Sequence, residues 1–262
     1  MDCLGAEWGH MAAPGNSFPN FDPKLPGWLK IDFHLHSRED PKDDLEHSAI
    51  ELLHRARALG FNALAITLHN KVLNDPAVFE TARELGLLLI PAVELRLEGA
   101  DVVVVNLTPE EARGLRKLSD LVEFRQRRGR SAFIFAPHPF YKLGGSMGGR
   151  QLSEHIDLFD AIEICHFHTS WFDPNRNAIR AAERFQKPLI ATSDTHRLAY
   201  FGDHYSLVQA PPDATPEMIF DAIRAGCIRP VSPALTNAQF VNHLWWVFVE
   251  HRLGWLWKGR AK

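Results

Sequence analysis

Cysteine is scarce. Cys3, Cys165 and Cys227 are odd in number and far apart, which excludes a disulfide framework and any CxxC-type zinc site and leads us to expect a reducing, cytoplasmic setting. Long apolar runs are missing too: no stretch reaches the roughly 18 uncharged residues that a membrane span requires. Neither sign of charge dominates, since 29 Lys plus Arg stand against 32 Asp plus Glu, for a net charge of -3. No bulk basic field is available to hold a nucleic-acid backbone, so no stable nucleic-acid partner is expected. The first 26 residues are rich in Gly, Pro and Asn and lack the basic and apolar regions of a signal peptide, so they read as a flexible arm.

What is present is a chain of 262 residues, 45% hydrophobic and 23% charged, enough for one sizeable core. Short apolar runs alternate with helical periods from Leu29 onward: LKIDFHLH, ALAITLH, LLLIPAVEL, DVVVVNL, SAFIFAPHP, AIEICH and PLIATSDTH, with YSLVQA and a helix over 216–225 as the last unit. Runs that are apolar at successive positions suit strands covered on both faces, so the pattern predicts one α/β domain with parallel strands.

Fourteen histidines are the unusual feature, and many close those apolar runs. His34, His36, His69, Glu94, His138, His166, Asp194 and His196 fall at the ends of six different predicted strands. Groups drawn from so many strand ends meet at the mouth of a barrel, whereas an open sheet gathers ligands at its switch point. A barrel is therefore expected.

His34 and His36 are two apart on a strand, which puts both rings on one face with Leu35 pointing away. Asp194 and His196 repeat that spacing. Glu94 ends a run so apolar that its carboxylate needs a cation or donors, and His138 lies between two prolines at a strand exit. Such a mixed N/O set suits zinc, manganese or iron, and it is larger than one ion needs, so two or three divalent metal ions are expected. Ser37 and Cys165 have no dedicated base and are read as structural. The loop KLGGSMGG (142–149) lacks a phosphate-loop signature and reads as a lid after His138.

HLHS at 34–37, AITLHN at 65–70, IPAVEL at 90–95, APHPF at 136–140, AIEI at 161–164 and SDTH at 193–196 together resemble the motifs of the PHP (polymerase and histidinol phosphatase) family of metal-dependent phosphoesterases, over about residues 29–230. The resemblance implies a distorted (β/α)7 barrel whose mouth holds two or three metals. It implies His34, His36, His69, Glu94, His138, Asp194 and His196 as ligands, with Glu94 bridging, and Asp40 as a further acidic ligand. His34, His36, His69, Glu94, Asp194 and His196 form the implied catalytic set, and Arg38 and Arg197, just past strand ends, are the phosphate-binding candidates. Two departures stand out. Leu68 occupies the place where the family has Asp before the histidine, an exchange expected to loosen the orientation of His69. Val103 stands near the place of a ligand histidine.

The function this implies is hydrolysis of a small phosphomonoester or phosphodiester, a nucleotide or phosphorylated metabolite, through a metal-bridged hydroxide. The alternative is a catalytically weakened PHP-type module that binds metal or phosphate for regulation. Three regions are expected: the arm 1–26, the barrel 27–236 and an aromatic, basic helical tail 237–262. The tail holds four of the seven tryptophans, Trp245, Trp246, Trp255 and Trp257. It is expected to pack on the barrel or a second copy, with contact to a membrane surface as the alternative.

Overall fold

The computed structural model describes residues 27–141 and 145–246. The expected arm 1–26, part of the glycine-rich loop and the tail beyond Trp246 lie outside them. In chain order the elements are β1 (Trp28–Leu35), α1 (Ala49–Ala58), β2 (Ala63–Ile66), α2 (Pro76–Glu84), β3 (Leu88–Leu89), β4 (Ala92–Leu97), β5 (Ala100–Val105), α3 (Pro109–Gly114), α4 (Leu118–Arg128), β6 (Phe133–Ala136), α5 (Gly148–Glu154), β7 (Ala161–Ile164), α6 (Asn175–Phe185), β8 (Leu189–Ala191), β9 (Tyr205–Gln209), α7 (Pro216–Arg224), β10 (Ile228–Val231) and α8 (Asn237–Trp245).

Helix starts follow local chemistry. Ser48 with Glu51, Thr108 with Glu111 and Thr236 with Gln239 form reciprocal capping boxes at α1, α3 and α8. Asp75 and Thr215 cap α2 and α7 ahead of a proline in the first turn, where the missing N–H costs nothing.

The strands form two five-stranded sheets, β10-β9-β1-β2-β3 and β4-β5-β6-β7-β8. Both are mixed, which corrects the expectation of parallel strands throughout. β4 and β5 pair antiparallel through a two-residue turn at Glu98 and Gly99, both with positive φ (50° and 88°), the backbone a tight hairpin demands. β9 runs antiparallel to both β1 and β10, so the last unit is a hairpin-like return and not a further parallel crossover. Pro91 splits the run LLLIPAVEL: Leu88–Leu89 joins the first sheet and Ala92–Leu97 the second. Two isolated parallel bridges, Leu35 to Thr195 and His69 to Glu94, link the sheets at the strand ends.

The core lies between the sheets. Ile31, Phe33, Ala63, Ala65, Val103, Val105, Phe133, Phe135 and Ile190 meet there with Phe220 of α7. Two flanking apolar layers pack α1 and α2 on the first sheet and α4, α5 and α6 on the second. Among the described residues no helix is long and apolar enough to cross a membrane.

Candidate metal centre

The polar groups buried at the strand ends converge. β1 loses regular register with β2 between Asp32 and Leu35, an irregularity of the kind that re-aims side chains beside functional sites. His34 and His36 come out of it with ring centroids 5.3 Å apart, while Leu35 joins the apolar layer under α1.

Glu94 is the hub. Its Oε1 lies 3.6 Å from His34 Nε2 and 3.4 Å from His138 Nε2, and its Oε2 lies 3.5 Å from His36 Nε2 and 3.1 Å from His69 Nε2. Asp194 Oδ1 adds contacts of 3.5 Å to His34 Nε2 and 3.2 Å to His36 Nε2. His34 with His36 and Asp194, His34 with Glu94 and His138, and His36 with His69 and Glu94 each bring three donor atoms within 4.8 Å of one another. The Nε2 atoms of His34 and His36 are buried and make no hydrogen bond, despite the nearby carboxylate oxygens. Unpartnered nitrogens and carboxylate oxygens aimed at common points are what a divalent cation requires of its donors.

Behind these donors stands a second set of carboxylates. Glu163 Oε1 lies 3.0 Å from His34 Nδ1 and also accepts the Thr192 hydroxyl, while Glu163 Oε2 accepts the His138 N–H at 2.6 Å. Asp40 Oδ2 lies 3.1 Å from His36 Nδ1 and 3.0 Å from His69 Nδ1, and it accepts the His69 N–H at 2.8 Å. His34, His36 and His69 thus each have the rear nitrogen tied and the front nitrogen presented, whereas His138 is held through its backbone N–H and its Nδ1 makes no hydrogen bond. His196 stacks on His36 at 4.4 Å, with Nε2 3.3 Å from Asp43 Oδ2, and Asp43 also lies 3.4 Å from His69 Nδ1. Asp32, buried on β1, accepts the N–H groups of His34 and Ser193 and so ties the two segments that carry His34, His36, Asp194 and His196.

His138 and Asp194 both hold left-handed backbone, φ 29° and 44°. Such conformations cost about 1–3 kcal/mol each and persist where neighbours fix them. Here the Glu163 contact and the Leu35–Thr195 bridge do so.

The electrostatics follow from burial and this crowding. Burial opposes the charge on Glu94, but the imidazoles of His34, His138 and His36 hold it well below the usual carboxylate range. Asp194 is likewise held low, chiefly by His34 and His196, against the effect of burial. Burial disfavours the protonated rings of His138 and His196, yet Glu94 and Asp194 raise the first to about 9, and Asp194 with Asp43 raises the second to about 9. Burial pushes Asp32 up to about 8.

Not every sequence candidate reaches this cluster. Arg38 bonds the Glu46 carbonyl and lies 3.7 Å from Glu51 at the start of α1. Arg197 donates to Asn242 of α8 at 2.7 Å, on the rim. His166 packs its ring against His204 and His243, and burial lowers it to about 3, so it is a neutral aromatic wall. Asp101 pairs with Arg96, and burial with the charge of Glu94 pushes it up to about 6. Glu163 and Asp43 were missed in the sequence. The signal for Glu163 was a carboxylate inside the apolar strand AIEI; for Asp43 the sequence carried none, because it sits among other acidic residues before α1.

Leu68 corrects one expectation. Its side chain is fully buried in the apolar layer with Leu35, Ile66 and Val78, and His69 is oriented by Asp40 instead. Leu68→Asp should therefore not improve the centre. It should bury an unpaired carboxylate and destabilise the fold by about 3–5 kcal/mol. Urea denaturation checks this, and a variant of unchanged stability would contradict the placement.

A family model described as PHP-associated matches residues 172–228, which run from before α6 to the start of β10. No curated protein matches the chain by sequence. Among solved structures, a two-domain protein of Bacteroides vulgatus ATCC 8482 containing a predicted PHP-like metal-dependent phosphoesterase is similar over 82% of this chain and 68% of its own, at 19% identity and a TM-score of 0.62. PsfC from Pseudomonas syringae PB-5123 is similar over 82% and 93%, at 19% identity and TM-score 0.56. The lesion-specific endonuclease PfuEndoQ from Pyrococcus furiosus is similar over 78% of this chain and 57% of its own, at 16% identity and TM-score 0.56. At these identities the likeness is one of fold.

Proposed function

We propose that this is a PHP-domain protein and a metal-dependent phosphoesterase acting on a small phosphomonoester or phosphodiester, a nucleotide or phosphorylated metabolite. The observation that carries this reading is the convergence of His34, His36, His69 and His138 on Glu94 and of Asp194 on His34 and His36, with the front nitrogens of His34 and His36 free of hydrogen bonds. In the same reading β1, β2 and β4 to β8 are the seven staves of a distorted barrel, joined where Leu35 meets Thr195 and His69 meets Glu94.

Two or three divalent ions, zinc, manganese or iron, suit the donors. His34, His36 and Asp194 would hold one and Glu94 with His69 and His138 another, with Glu94 shared, while Asp43, 3.3 Å from His196 Nε2, is the carboxylate nearest to a third. Bound there, the ions supply Lewis acidity to a phosphoryl oxygen and lower the pKa of water. The protein's own part is orientation. Glu163 fixes the tautomer of His34, and Asp40 fixes His36 and His69, so that Nε2 of each faces inward. Asp40 thus serves by orienting two imidazoles, and its Oδ2 is already engaged by three N–H sites.

His34, His36 and Glu94 are closed to solvent, whereas the side chains of Asp194 and His196 are 18% and 24% exposed, so substrate approaches from their side. Rim groups there are Arg197 and the neutral rings of His166 and His243. The orientation of His69 by Asp40 removes the main reason to regard the centre as weakened. Phosphate release from nucleotides and sugar phosphates by metal-stripped protein, with Mn²⁺, Zn²⁺ or Mg²⁺ restored singly, tests the proposal. Release that depends on an added ion is expected, and release unaffected by stripping would overturn it.

A further inference from the structure

Four of the large apolar side chains that the described part of the protein leaves to solvent lie together. Trp171 is 65% exposed, Val241 63%, Trp245 57% and Phe172 40%. Val241 and Trp245 are four residues apart on α8, and Asn237, four before Val241, accepts the indole N–H of Trp171 at 2.9 Å. These positions therefore form one stripe along the helix and onto the loop before α6. The adjoining face of α8 is satisfied: Phe240 stacks on Phe167 at 4.8 Å, and Leu244 packs with Cys165 and Leu235. So α8 is fixed to the domain by one face and shows a second apolar face outward. A contiguous patch of this kind marks an interaction surface.

The charge around the stripe selects the partner. α8, NAQFVNHLW, contains no carboxylate. Asp173, the acid next to Trp171 and Phe172, has its side chain only 3% exposed and lies 3.6 Å from Arg176. Beyond Trp246 the sequence VFVEHRLGWLWKGRAK sets Arg252, Lys258, Arg260 and Lys262 against the single Glu250, among Trp255 and Trp257. Indole rings beside the described cations Arg176 and Arg197, on a helix without a carboxylate, suit the interfacial region of an anionic bilayer, where indole sits at the headgroup level and cations are attracted. A narrow stripe on one convex helix, without a groove, offers a folded protein partner little to grip.

We propose that the stripe of Trp171, Phe172, Val241 and Trp245 docks the protein on an anionic lipid surface, with Arg176 and Arg197 beside it strengthening the attraction. Docking there leaves the rim of the metal centre close to the surface, because α8 also carries Asn242, which binds Arg197 and Tyr200, and is followed by Trp246, 6.1 Å from the His196 ring. The proposal does not depend on what the centre hydrolyses.

Co-sedimentation of the full chain with phosphatidylcholine vesicles, and with vesicles containing about one third phosphatidylglycerol, tests it. Binding to the anionic vesicles, weakened by salt, is expected, and Trp171→Glu or Trp245→Glu should lower the partition coefficient at least about tenfold. Met218→Glu, at an exposed apolar site (44%) on α7, should leave it unchanged, which separates the stripe from general surface charge. Absence of binding to anionic vesicles overturns the proposal. So does equal binding by the Trp variants, or light scattering that finds a dimer broken by Trp245→Glu without vesicle binding, which would assign the stripe to a second copy.

Discussion

Glu94→Gln should abolish metal-stimulated phosphoester hydrolysis, lowering turnover at least about 10³-fold, equivalent to about 4 kcal/mol of transition-state stabilisation. The substitution keeps the volume of a side chain that is 2% exposed and removes only the charge and the equivalence of its two oxygens. That charge is the one shared feature of the cluster: Oε1 faces His34 and His138 while Oε2 faces His36 and His69. An amide would present one oxygen and one NH₂ group, so one of the two histidine pairs would meet a donor where a cation needs an acceptor. The loss should therefore appear in metal content as well as in rate, with at least one ion no longer retained through dialysis. Elemental analysis beside the kinetic assay separates the outcomes. Full turnover with undiminished metal would remove Glu94 from the centre.

The strand ends were legible because chemistry and pattern coincided there. His34, His36, His69, Glu94, His138 and Asp194 each close an apolar run, and the structure gathers them at one place. What escaped was the direction of the strands between them. DVVVVNL is as apolar as a buried parallel strand, and the information that it runs backward lies in two residues, Glu98 and Gly99, whose positive φ closes a hairpin. Apolar content reports burial on both faces, and β5 is buried on both faces in either direction. The orienting carboxylates escaped for a related reason. Glu163 and Asp43 act across 25 to 153 residues of sequence on partners such as His138 and His196, and the hold of Asp40 on His69 spans 29, so no local period encodes such contacts. Leu68 teaches the converse. Read beside His69, it looked like a lost partner; in the fold it is core, and the partner comes from Asp40.

Stripped of metal, the protein should be most stable near pH 6.5 and should lose stability as the pH is raised to 9. His138 and His196 both titrate at about 9 in the fold, against 6.5 for an ordinary histidine. Between those values the folded chain binds more protons than the unfolded one, so stability present below pH 6.5 is lost as the pH climbs through the folded value. Each group accounts for on the order of 3 kcal/mol. Asp32, raised to about 8 by burial, acts in the same direction from its ordinary 3.8 upward. The opposing groups lie lower. His166 and His243, pushed down to about 3 and about 4 by burial, bind fewer protons folded than unfolded, so their contribution is present above pH 6.5 and lost as the medium becomes more acidic. A divalent cation must displace the protons held among the carboxylates of the cluster, so its apparent affinity should rise over the same window in which the stripped protein weakens. With excess metal the loss of stability between pH 6.5 and 9 should accordingly shrink or reverse. Thermal melts of stripped and loaded protein at the two pH values read this directly, and titration calorimetry in two buffers of different ionisation enthalpy reads the protons released. A stripped protein more stable at pH 9 than at 6.5, or metal binding that releases no protons at pH 7.5, would mean that the cluster does not hold its histidines charged.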